Sequence, residues 1–195
     1  MKDHTVGFAM CGSYCTFDAA IDALGKIREL YKSVIPIMSE NAYSTDSRFG
    51  PAAGFIERVE NLCGRAVIKD ITGAETIGPG KLFDILVIAP CTGNTLSKIA
   101  AGITDTSVTM AAKAHLRNNR PLLIAVTTND ALGANAANIG ALLSRKNVYF
   151  VPFYQDDPLS KPTSLTSNLA LLSGAIEAAL RGVQLQPLLA SRTCT

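Results

Sequence analysis

Ile85-Leu86-Val87-Ile88-Ala89-Pro90-Cys91-Thr92-Gly93-Asn94-Thr95-Leu96-Ser97-Lys98-Ile99-Ala100-Ala101-Gly102 is the stretch that decides the fold. Ile85 to Ala89 is a continuous apolar run rather than an alternating one, the pattern of a strand buried on both faces. Pro90 has no N–H to give a ladder and is expected to end that strand. A short polar turn of small residues follows, and then an amphipathic helix pattern begins. Thr92 and Asn94 therefore sit at the carboxyl end of a buried strand, beside a helix N-terminus. In an open α/β sheet, ligands bind in the crevice at that place.

The same sequence of strand, polar turn and helix recurs on both sides. Thr5 to Met10 reads as the first strand, Cys11 to Thr16 as a turn, and Asp18 to Leu30 as a helix with Ala19, Ala20, Ala23, Leu24, Ile27 and Leu30 on its apolar face. A turn of this kind is an anion cradle, because N–H groups at a helix start are unpaired and the helix dipole favours negative charge there. Gly12, Ser13 and Thr16 would form it. Ser13 or Thr16 could equally do no more than cap the helix.

Val34 to Met38 is the second strand, with Ser39 in the turn at its carboxyl edge. Pro51 to Cys63 is a helix closed by Gly64. Arg65 to Lys69 reads as a short strand and Asp70 to Lys81 as a loop rich in Gly and Thr. Thr106 or Asp105 caps a helix over Ser107 to Asn118. Pro121 to Val126 is the fourth long strand, leading into Thr127-Thr128-Asn129-Asp130. A helix over Ala134 to Ser144 and a strand over Asn147 to Phe153 come next. The polar segment Tyr154 to Pro162 reads as a loop, Ser164 to Leu180 as the last helix, and 184–195 as a loose tail on a single domain of residues 1–183.

Strands alternating with helices imply a parallel sheet with right-handed crossovers. The expected fold is three-layer α/β, a flavodoxin-like (Rossmann-like) parallel sheet of strand order 2-1-3-4-5. That order sets the first strand beside the third and brings Gly12-Ser13 and Thr92-Asn94 to one crevice.

Composition excludes several alternatives. A chain of 195 residues, 48% hydrophobic, is long enough to bury a substantial core. A net charge of +2 with no basic run gives no electrostatic footprint for nucleic acid. No apolar stretch reaches the roughly 18 residues of a membrane span, and the N-terminus has no secretory signal pattern. Five cysteines at irregular spacing do not form a disulfide framework, so a reducing cytoplasm is expected.

Pro90-Cys91-Thr92-Gly93-Asn94-Thr95, followed by Leu-Ser-Lys-Ile-Ala, resembles the Pro-Ala-Ser-Ala-Asn-Thr motif of the FMN-dependent cysteine-decarboxylase-type flavoproteins. Gly12-Ser13-Tyr14-Cys15-Thr16-Phe17, Asn129 to Asn135 and Pro152 to Pro158 extend the resemblance over residues 4–183. Within that superfamily they resemble the B subunits of dipicolinate synthases. The resemblance implies FMN, with its phosphate at Gly12-Ser13 and Thr16, and Ser39, Thr92, Asn94, Thr95 and Asn129 lining the crevice. It further implies a homo-oligomer built on trimers, a dicarboxylate substrate, and an A subunit that brings NAD(P)H. The setting would be the mother-cell cytoplasm of a spore-forming bacterium. A stand-alone FMN-dependent decarboxylase, a flavin prenyltransferase-like enzyme and a non-catalytic docking module that keeps a phosphate-binding crevice remain alternatives.

One departure bears on the chemistry. Phosphopantothenoylcysteine decarboxylases and their relatives carry a catalytic His at a position that falls at or near Thr76 here; no histidine lies in this loop, and the only histidines, His4 and His115, read as surface or helix-face residues. Cys11, Cys15 and Cys91 lie by the crevice, but no Cys–His pairing is evident, so packing thiols are the default. No cluster has metal-ligand spacing, and neither a Walker lysine motif nor Gly-x-Gly-x-x-Gly follows the first strand. Lys98 and Arg145 are expected to face solvent.

Overall fold

The structure, a computed structural model, describes residues 1–190. Strand β1 (Lys2–Met10) leads through a tight turn into helix α1 (Phe17–Leu30), and β2 (Tyr31–Met38) follows at once. Next come α2 (Glu40–Ser44), α3 (Ala52–Cys63), α4 (Ile71–Glu75) and α5 (Ile77–Gly80). The motif stretch forms β3 (Ile85–Cys91) and α6 (Gly93–Ala101). After α7 (Ser107–Leu116) come β4 (Leu122–Thr128), α8 (Ala136–Leu143) and β5 (Val148–Phe150). The chain ends with β6 (Phe153–Tyr154), β7 (Leu165–Ser167) and α9 (Leu172–Leu180).

The parallel strands run in the order β2-β1-β3-β4-β5, as the sequence implies. Alternation along each strand feeds two cores. Val6, Phe8 and Met10 of β1 and Ile85, Val87 and Ala89 of β3 pack with α1, α3 and α9 on one face. Ala9, Leu86, Ile88 and Cys91 pack with α6, α7 and α8 on the other. Every residue of β3 is buried, which explains the unbroken apolar run. Helix α1 buries Phe17, Ala20, Ile21, Ala23, Leu24 and Ile27, while Ala19 and Leu30 of the expected apolar face are exposed.

Several boundaries differ from the sequence reading. Pro90 does not end β3, which continues to Cys91; the ladder to β4 is irregular between Ile88 and Cys91, where the missing N–H falls. The expected strand at 65–69 is reduced to one bridge, Ile37 to Ile68. The expected loop at 70–81 holds the short helices α4 and α5, because Asp70 caps α4 by accepting the Gly73 N–H and Ile77 is buried. The last helix begins only at Leu172, and the residues read as its start instead form β7, antiparallel to both β4 and β6. Strand β4 thus pairs with β5 through Leu122–Ile124 and with β7 through Thr127–Thr128. Residues 184–190 of the expected tail lie against the sheet. Gln184 donates to the Phe150 carbonyl and accepts its N–H, and Leu189 bridges to Phe153. The remainder of that tail, 191–195, lies outside the described residues.

His115 is a helix-face residue turned fully inward. Its Nε2 lies 3.0 Å from the Pro121 carbonyl and its ring packs on Phe83. Burial is the main reason its pKa falls from 6.5 to about 4. Between those values the unfolded chain takes up a proton that the folded chain refuses. Stability is therefore full above pH 6.5 and is lost as pH falls toward 4, by on the order of 3 kcal/mol in all. Thermal melts of the wild type and His115→Gln across pH 7.5 to 4.5 check this: the substituted chain should lack that part of the acid slope.

Candidate functional site

The crevice lies where the first and third strands end side by side. Val6 to Ala9 pair in register with Ile85 to Ile88, and the Cys11 N–H then donates to the Pro90 carbonyl at 3.2 Å. That bond joins the two polar turns. Around it are two adjoining chambers, of about 380 and 280 Å³, both lined by Gly12 and Thr92. Such volumes suit a small molecule or cofactor.

The larger chamber is lined by Tyr14, Ser39, Glu40, Asn41, Asn94 and Thr95, and closed by Lys98, Asp105 and Thr106. The smaller gathers Ser13, Cys15, Thr16 and Gly93 with Thr127, Thr128 and Asn129 from the end of β4. Its far wall is Asp156, Lys161, Ser164, Leu165 and Thr166, which the unforeseen β7 and its approach supply. All eight residues singled out in the sequence line one or both chambers: Gly12, Ser13, Thr16, Ser39, Thr92, Asn94, Thr95 and Asn129. A cavity of about 440 Å³ lies elsewhere, floored by Ile99, Ile103, Ala112 and Leu116; none of the eight reaches it. The crevice has the convergent polar groups that a binding site needs.

Individual side chains are set by local rules. Thr92 is the N-cap of α6, its Oγ1 accepting the Thr95 N–H at 3.3 Å and lying 3.1 Å from Thr95 Oγ1. Ser39, buried, caps α2 by accepting the Ala42 N–H. Neither Ser13 nor Thr16 makes a side-chain capping bond. Thr16 Oγ1 instead donates to the Ser13 carbonyl at 2.8 Å, fixing the turn, and the Ser13 hydroxyl has only a distant contact with Cys15 Sγ. The capping alternative is thereby removed for both residues. The Ser164 hydroxyl donates to Asp156 Oδ1 at 2.7 Å and lies 3.5 Å from Asn129 Oδ1, while the Asn129 carbonyl accepts from the Thr163 hydroxyl.

Lys98 corrects an expectation. Only 22% exposed, it donates to Asp105 at 2.8 Å inside the crevice rather than facing solvent. Its ammonium holds the Asp105 carboxyl below the usual carboxylate range. Arg145 is exposed, and its guanidinium donates to the carbonyls of Ile99 and Ala100 at the end of α6. Thr76 lines neither chamber; its hydroxyl donates to the Gly73 carbonyl.

Of the three thiols by the crevice, Cys11 and Cys91 are buried and Cys15 is exposed at the smaller chamber. Burial pushes Cys11 up to about 11 and Cys91 well above its ordinary value, against the lowering expected from helix N-termini alone. The asparagines of α8 have a structural task. Asn135 Nδ2 donates to Asp130 Oδ2 at 2.8 Å, Thr128 donates to Asp130 Oδ1, and Asn138 donates to Asn135. This network packs against Gly93, where a Cβ would lie 2.6 to 2.7 Å from Asn135, Asp130 and Thr128. Glycine is required there by close approach.

The family model described as Flavoprotein matches residues 1–164. The chain belongs to the Flavoprotein family. Among its relatives, the B subunit of dipicolinate synthase from Bacillus subtilis (strain 168) is 44% identical over 189 residues, covering 97% of this chain and 94% of the relative. The crystal structure of the corresponding B subunit from Bacillus halodurans superposes with a TM-score of 0.89 at 41% identity, covering 96% of both chains. A dodecameric FMN-dependent UbiX-like decarboxylase from Escherichia coli O157:H7 matches with a TM-score of 0.59 at 25% identity, over 76% of this chain and 79% of its own. In this flavoprotein-family chain Thr76 stands away from both chambers, and burial holds the Cys11 and Cys91 thiols in the protonated form.

Two outcomes follow for the family member. Gly93→Ala should destabilise by about 1–3 kcal/mol, read as a lowered thermal midpoint, because the Asp130 network must shift. Iodoacetamide at pH 7.5 with mass-spectrometric mapping should label exposed Cys15 readily, and Cys11, Cys63 and Cys91 only after unfolding.

Proposed function

We propose that this chain is the B component of a dipicolinate synthase and that the crevice holds FMN. One observation carries the reading: Gly12-Ser13 and Thr92-Asn94 converge at the carboxyl ends of adjacent parallel strands, with the Ser13 hydroxyl outside any capping bond. The similarity to the Bacillus subtilis protein over nearly the whole chain supports the assignment to that component.

The residues fit the group. Gly12, Ser13 and the first N–H groups of α6 serve the phosphate through neutral donors and the helix dipole. Thr16 supports this turn by fixing the Ser13 carbonyl. Ser39, Thr92, Asn94, Thr95 and Asn129 line the rest of the cofactor path. FMN, when bound, supplies a two-electron acceptor. This chain's part is to bind it and orient it, beside two buried thiols, Cys11 and Cys91, that desolvation holds in the protonated form.

The reaction in this proposal removes water and two hydrogens from a dihydrodipicolinate-pathway intermediate to give dipicolinate. An A subunit with a dinucleotide-binding domain completes the active enzyme: its NAD(P)+ takes the two electrons as hydride and leaves as NAD(P)H, and one proton is released. A trimer-based homo-oligomer in the mother-cell cytoplasm is part of the same reading.

Titration of the purified chain with FMN, followed by absorbance, tests the cofactor. Stoichiometric binding by the wild type should weaken at least about tenfold in Ser13→Ala combined with Asn94→Ala, which removes hydrogen bonds at both turns. Equal binding by the two proteins would refute the assigned site. Dipicolinate formation should then require the A subunit.

A further inference from the structure

The cavity of about 440 Å³ outside the crevice lies between the end of α6, one side of α7 and the turn that leads into β5. It shares no lining residue with either chamber of the crevice. Its floor is apolar. Ile99 and Ala112 are buried, Leu116 is half-buried, and Ile103 is 46% exposed. A hollow of this size with an open hydrocarbon floor has the usual form of a small-molecule site.

Every charged group on its wall is positive. Lys113 and Arg117 stand one turn apart at the end of α7, Arg145 and Lys146 precede β5, and no carboxylate lines the cavity. None of the four cations forms an ion pair among the described residues. Arg145 donates to the carbonyls of Ile99 and Ala100 at 3.1 and 3.3 Å, which offsets the negative end of α6, where an anion would otherwise be repelled. Cations at helix C-termini are ordinary, and that alone would explain Lys113 in the last turn of α7. Lys146 is on no helix, however, and a helix dipole does not call for an apolar hollow among the charges. A cleft of one sign with apolar walls concentrates the opposite charge.

We infer that this cavity is a second binding site, separate from the crevice, for an aromatic carboxylate. The apolar floor takes the ring and the cationic wall takes the carboxylate. Guanidinium groups match a carboxylate in shape and also stack on aromatic faces. An inorganic anion has no ring to bury, and a neutral ring leaves four charges without a counter-ion, so both halves of the ligand are needed. The connection from α6 to α7 belongs to both sites: Ile103 and Thr104 line the cavity, while Asp105 and Thr106 close the larger chamber. Nothing in this second site depends on what the crevice holds.

Calorimetric titration of the full chain with 2-naphthoate, neutral 2-naphthamide and acetate tests the site. The wild type should bind one naphthoate per chain. It should bind the amide and acetate at least about tenfold more weakly, the first for want of charge and the second for want of apolar surface. Lys113→Gln combined with Lys146→Gln, both at exposed positions, should unfold at the wild-type temperature and bind naphthoate at least about fivefold more weakly. Ser13→Ala combined with Asn94→Ala, in the crevice, should bind naphthoate as the wild type does. Absence of naphthoate binding by the wild type, or equal affinity for naphthoate and its amide, overturns the inference without any variant. Loss of naphthoate binding in the crevice variant, or full retention in the lysine variant, overturns it as well, because either places the ligand elsewhere.

Discussion

The register between β1 and β3 is the constraint on which the rest of the structure depends. Two strands buried on both faces can satisfy their backbone groups only by pairing, and a slip would break the alternation that feeds two separate cores. Val6 is held opposite Ile85, Phe8 opposite Val87, and the ladder closes with the Cys11 N–H on the Pro90 carbonyl. Beyond that bond both chains turn away into helices. The polar residues at the turns meet because the apolar residues below them have no other arrangement.

Much of this was legible because it follows from hydrophobic pattern. The unbroken run Ile85 to Ala89, the small-residue turns and the helical spacing after them specify strand order and, through it, the place of the crevice. All eight residues picked from the turns line it. What escaped was set by tertiary contact. Strand β7 has three residues and no alternation, and exists because the carboxyl half of β4 is left unpaired by β5. Helices α4 and α5 are too short to show a period. Lys98 looked like an exposed helix lysine, because its partner Asp105 lies seven residues on, beyond the three-or-four spacing of helix pairs. The bond from the Ser107 N–H to Glu40 gave no signal either, because the two residues are far apart in sequence.

The crevice also shows how burial and polarity are apportioned. Cys11 and Cys91 sit below the turns, where desolvation keeps their protons in place, while Cys15 lies exposed in the first turn. Hydroxyls and amides sit above; Ser39 and Thr92 are fixed as helix caps and Thr16 by the Ser13 carbonyl. Lys98 and Asp105 cancel each other's charge at the rim. Apart from these ions, Glu40 and those of the far wall, the crevice is lined by neutral dipoles, many of them held by backbone geometry.

The late strand β7 has a consequence for the order in which the molecule is assembled during synthesis. Leu165 and Thr166 form one wall of the smaller chamber, while the turns they face are more than 70 residues earlier or, at Gly12, more than 150. A nascent chain emerging from its N-terminus can pair β1, β2, β3 and β4 while that wall is still being translated. The pocket is therefore finished by contacts of long sequence separation, whose loop-closure cost must be met before they reward the fold. A ligand that needs both walls meets a receptor only after residues 165–167 have been made and paired.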